Sequence, residues 1–120
     1  FMNKLTDRDV EWDDRVRSME AVSANIGTNP MFNNLLAKAN IPELLCGWAT
    51  QMLDNKPEVQ KTAVELMPNI FHEALEKGDP QITVGHLEEI LDNLFKILDD
   101  PKCARNHAAA KDAIAKIVDD

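Results

Sequence analysis

The chain of 120 residues has no tyrosine, only four glycines and two cysteines, and no long apolar run. Each shortage removes a class of structure. Without tyrosine, and with so few glycines, a β-rich fold of aromatic strands and glycine turns is not expected. No segment approaches the roughly 18 to 20 apolar residues of a membrane span, and the start lacks the basic stretch and apolar core of a signal peptide. No membrane partner is therefore expected. Cys46 and Cys103 are too few for a disulfide framework, so the expectation is a pair of reduced thiols and a cytoplasmic location. Phe1, ahead of Met2, reads as a processing remnant or an added residue outside the fold. Basic residues are also short. Thirteen Lys and Arg against 21 Asp and Glu give a formal charge of -8 and a pI near 4.8. Such a surface repels phosphate backbones, so direct nucleic-acid binding is not expected.

What the chain does have is helical periodicity, concentrated in Pro57 to Leu98. In the first half of that stretch, Val59, Ala63, Leu66 and Ile70 form one row, and Val64, Met67, Phe71 and Leu75 its neighbour. Together they predict a broad buried stripe rather than a coiled-coil seam. Pro68 lies inside it, where a missing amide and a ring clash cost about 3 kcal/mol unless the helix bends or divides. A bend near Glu65 to Pro68, or two shorter helices, follows. After the Gly78-Asp79-Pro80 turn, a second helix is expected from near Thr83. It places Leu87, Ile90, Leu91, Leu94, Phe95 and Leu98 inward and Asp92, Lys96 and Asp99 outward.

Start and stop signals divide the rest. Thr6 with Asp9 resembles a capping box opening a helix that ends at Gly27, with Arg15 and Arg17 set four residues after Glu11 and Asp13. Asn29-Pro30 opens a short helix to about Ala39, and Asn40, Pro42 and Glu43 repeat the logic for the next. Gly47 in that helix suggests close approach of a neighbour, with a local opening for a ligand as the alternative. A last helix, alanine-rich, is expected from about Pro101 to Val118. The expected fold is all-α: one domain over residues 1–120, with residues 1–5 disordered. It is an irregular bundle of about six helices with antiparallel neighbours, the long helix bent near Pro68.

The chemistry is sparse. His72 with Glu76, and His86 with Glu89, can each set an imidazole and a carboxylate on one helical face, as a general base or partial metal site requires. The Glu-x-x-His motifs of a binuclear carboxylate bundle are missing. Cys103 and His107, four apart, supply only two ligands. No nucleophile elbow or phosphate-cradling glycine loop occurs. The sequence therefore points away from an enzyme and toward a helical adaptor, scaffold or regulatory protein that binds a protein partner or a second copy of itself. Trp12, Trp48, Met52, Met67 and Phe71 are its candidate contact residues, and no cofactor is expected. The alternative is an acidic inhibitor or nucleic-acid mimic using Glu11, Asp13, Asp14, Glu88, Asp92, Asp99 and Asp100. A further alternative is a metal- or small-ligand-binding bundle using His72, Glu76 and His86.

Overall fold

A computed structural model of the chain describes residues 11–118. The order is α1 (Trp12–Asn25), a 3-10 helix (Pro30–Leu36), α2 (Ile41–Gln51), α3 (Pro57–Lys77), α4 (Pro80–Gly85), α5 (Leu87–Asp99), a second 3-10 helix (Pro101–Asn106) and α6 (His107–Val118). Among the described residues six α-helices form an all-α bundle, with no strand. The expected disorder of residues 1–5 and the Thr6–Asp9 cap lie outside the described residues.

Prolines mark the starts. Pro30, Pro42, Pro57, Pro80 and Pro101 each hold a first or second helical position, where the missing N–H forfeits no intrahelical bond. Asn29, Asp79 and Asp100 accept from the amides of Met31, Ile82 and Lys102 at 3.0, 3.0 and 2.9 Å. The capping box expected of Asn40 and Glu43 does not form. Asn40 already has helical torsions, and its side-chain amide donates to the Asn34 carbonyl at 2.7 Å, closing the preceding turn.

Helix α3 is the spine, packed by α1, α2, α4 and α6. It buries Val59, Ala63, Val64, Met67, Ile70, Phe71 and Ala74. It runs unbroken through Pro68, which is itself buried, so the division into two shorter helices does not occur. A 39° bend lies in residues 80–99, where α4 gives way to α5 at His86. Polar bonds key the neighbours to this frame. Trp48 Nε1–H donates to the Ala63 carbonyl, and Asn69 Nδ2 to the Ser23 carbonyl, both at 3.0 Å. Gly47 is buried.

Helix α5 sits rotated from its expected orientation. It buries Ile90, Asn93, Leu94 and Ile97, while Phe95 is 50% exposed. Asn93 lies on the inward side, where its side-chain amide donates to the Ala49 carbonyl of α2 at 3.0 Å. Arg15 also departs from expectation. Arg17 does pair with Asp13 at 2.9 Å, but Arg15 turns inward. Its Nη1 donates to Asp54 Oδ2 at 2.6 Å and to Gln51 Oε1 at 2.9 Å, tying α1 to the end of α2.

Candidate functional site

Three side chains from α2 and the α4–α5 junction converge at one edge of the bundle. Cys46 lies mid-way along α2, His86 is the joint residue between α4 and α5, and Glu89 lies in the first turn of α5. Cys46 Sγ is 3.7 Å from His86 Nδ1 and 3.6 Å from Glu89 Oε2, and His86 Nδ1 is 3.5 Å from Glu89 Oε2. These atoms form a nearly equilateral triangle. The sequence shows only one side of it, the His86–Glu89 pair three residues apart; Cys46 arrives from 40 residues away through the packing of α2 on α5.

A thiol beside an imidazole suggests a nucleophile and its base, but the electrostatics oppose that use. Burial, then the negative charge of Glu89 and its hydrogen bond to the thiol, push Cys46 above the ordinary thiol range. A nucleophilic cysteine needs the reverse, a cationic neighbour that stabilises the thiolate. Sulfur, nitrogen and oxygen atoms this close together are of the kinds that ligate a metal ion.

The other candidate residues are placed apart from this edge. His72 Nε2–H donates to the Lys116 carbonyl at 2.9 Å, which joins α3 to α6, and Glu76 is exposed. His86 therefore meets Cys46 and Glu89 rather than His72 and Glu76. His107 Nε2–H donates to the Asp100 carbonyl at 3.0 Å, and Cys103 Sγ accepts from Gln60 Nε2 at 3.4 Å. Those two residues thus hold the α5–α6 connection, and both cysteines are free thiols. Four of the five candidate contact residues, Trp48, Met52, Met67 and Phe71, belong to the core and are at most 2% exposed. A side chain without surface cannot dock a partner, so that assignment is corrected. Trp12 remains partly open, 37% exposed, with Lys56 Nζ 4.6 Å from its ring centre.

The acidic residues split into groups. Arg17 holds Asp13 and Asp14, and Glu11 is exposed just ahead of α1. Glu88, Asp92 and Asp99 share the exposed side of α5, with Lys96 lining the same shallow depression as Glu88 and Asp92. Asp100 is used as a cap. A separate cleft of about 230 Å³ opens between the α2–α3 loop and the second 3-10 helix. Lys96, Lys102 and Arg105 line it, but its deeper polar groups satisfy one another: Asn106 Nδ2 donates to Gln60 Oε1 at 2.8 Å, and Gln60 Nε2 to the Met52 carbonyl at 3.1 Å. No described helix is long and apolar enough to cross a membrane. Comparison with known proteins finds no matching family model, no matching curated protein and no matching solved structure.

Proposed function

We propose that the chain is a non-enzymatic helical binding module, an adaptor, scaffold or regulatory domain of the cytoplasm, that docks a protein partner or a second copy of itself. The observation that carries the reading is the width of the apolar arc on α5. Ile90, Leu94 and Ile97 fill the core; beyond them Leu87, Leu91 and Leu98 pack at its margin, mostly covered but not closed off, and Phe95 is half exposed. At 100° per residue these four side chains continue the core face in one direction, so the bundle leaves part of the arc open. Val84, 53% exposed at the end of α4, adds to the apolar surface on the same segment. Full burial of a leucine or phenylalanine side chain is worth about 1.5–3 kcal/mol, so covering this strip supplies a usable part of a binding energy. The two free thiols support the reducing compartment.

Sedimentation of the wild type and of Phe95→Asp over a range of concentrations tests the self-association form. The wild type should run above the 13.5 kDa monomer and the variant as the monomer. The partner form is tested by a photo-crosslinking residue at position 95, which should yield one discrete adduct in native extract, with a control at exposed Glu65 yielding none. A wild type that stays monomeric and a position 95 that captures nothing discrete would refute both forms.

A further inference from the structure

We infer that Cys46, His86 and Glu89 form a binding site for a first-row transition-metal dication, zinc foremost, with a fourth coordination position open to solvent or to an exogenous ligand. The argument is geometric. Tetrahedral zinc holds sulfur at about 2.3 Å and nitrogen or oxygen at about 2.0–2.1 Å. Those bonds place the sulfur–nitrogen and sulfur–oxygen edges near ~3.6 and ~3.5 Å, and the nitrogen–oxygen edge near ~3.4 Å. The corresponding edges here are 3.7, 3.6 and 3.5 Å. All three sides match the face of one coordination tetrahedron. An ordinary histidine–carboxylate pair fixes only one such side.

The donor set narrows the metal. Calcium and magnesium take oxygen ligands, whereas one thiolate, one imidazole and one carboxylate suit zinc or cobalt. The scaffold is set before the metal arrives. One helical turn beyond the triad, the Asn93–Ala49 bond fixes α5 against α2, and Thr50 Oγ donates to the Cys46 carbonyl at 2.9 Å. Access is open on the solvent side. Glu89 is exposed, and space for a side chain at neighbouring Gly85 is unoccupied by protein. On binding, the Cys46 S–H bond breaks, the sulfur–metal bond forms and the proton leaves to solvent. His86 supplies the Nδ1 lone pair with its proton on Nε2, and no oxidation state changes. The Glu89 carboxylate that disfavours a bare thiolate becomes a ligand beside it once a dication neutralises both.

The test is titration of the reduced, metal-free protein with Co2+, read by absorption. One equivalent should produce a thiolate-to-cobalt charge-transfer band and the intense visible bands of a tetrahedral ion, both removed by adding zinc. Cys46→Ser should abolish the charge-transfer band. Glu89→Gln and His86→Gln should weaken binding at least about tenfold, since loss of a mere supporting hydrogen bond costs that much at metal sites. His72→Ala and His107→Ala should leave the spectrum unchanged. Zinc should raise Tm in the wild type and not in Cys46→Ser. A weak octahedral spectrum without the charge-transfer band, or one that survives Cys46→Ser, overturns the site. Glu89 is exposed, so Glu89→Gln keeps the fold, and undiminished cobalt affinity in that variant overturns the site as well.

Discussion

The buried pair between Arg15 and Asp54 sets up a sharp stability experiment. Their side chains are 7% and 4% exposed, and a short bond of 2.6 Å joins them. Asp54→Asn keeps the oxygen that accepts from the Lys56 amide at 2.8 Å but removes the negative charge. The guanidinium then stays buried with only the neutral Gln51 oxygen to face it. Breaking one half of a buried pair costs about 3–5 kcal/mol, against a total of roughly 6–18 kcal/mol expected for a domain of this length. Asp54→Ala should cost about 1 kcal/mol more, because the turn before Pro57 also loses its acceptor. Among the described residues Arg15 Nε and Gln51 Nε2 are buried without hydrogen-bond partners, so the network is not fully satisfied within them. For that reason Arg15→Met combined with Asp54→Asn should recover most of the loss, to within about 1–2 kcal/mol of the wild type. Urea denaturation followed by circular dichroism measures each value, with an unchanged m as the sign that only stability has moved. A cost below about 1 kcal/mol for Asp54→Asn, the range of an exposed pair, would show that Arg15 reaches water and would refute the reasoning.

Gly27→Ala should lower Tm, with a loss of about 1–3 kcal/mol: Gly27 has a φ of 80°, and an added Cβ would collide with the Glu73 carboxylate that pairs with Lys77. Trp48→Phe should cost about 1–2 kcal/mol in denaturant titrations by removing the indole's bond to the Ala63 carbonyl and part of its buried volume; in the Trp12→Phe variant, the remaining emission should be that of a fully buried indole. In metal-free protein, alkylation of Cys46 should reach half its maximal rate at a pH above that of a free cysteine, and Glu89→Gln should move the midpoint down. Because the folded chain holds that proton more tightly than the unfolded one, the group's contribution to stability is present below the unfolded thiol pKa and declines as pH rises past it. Unchanged alkylation profiles in the two proteins would remove Glu89 as a cause of the shift.

The helices were legible because their boundaries are local chemistry. Proline at a helix start and Asn or Asp before it act within two or three residues, and the structure places Asn29, Asp79 and Asp100 in that role. What was not legible is whatever depends on a partner far along the chain. Arg15 has Glu11 four residues earlier, and local pairing was the natural expectation; its actual partner lies 39 residues away. The facing of α5 failed for a related reason. Both of its flanks carry residues that tolerate burial, and which flank turns inward depends on contacts with distant segments, the bond from Asn93 to Ala49, 44 residues apart, among them. The candidate site has the same character. His86 and Glu89 are one helical spacing apart and visible in the sequence, while Cys46 is an unremarkable apolar-face cysteine until α2 is laid beside them. Core candidates such as Met52 and Met67 looked equally suited to an interface, because composition does not distinguish a buried row from an exposed one.

The corner between α4 and α5 has a consequence for what each part of the chain remembers on its own. Gly85 has an ordinary negative φ and empty space where a side chain would go. Nothing local therefore forbids a straight rod from Pro80 to Asp99. The two arms are held by different company, α4 against α2 and α3, and α5 chiefly against α6. The angle is thus a property of the assembled bundle. A peptide of residues 80–99 excised from it would keep its helical preference and lose the corner, and with it the meeting of His86 and Glu89 with a thiol that belongs to another helix.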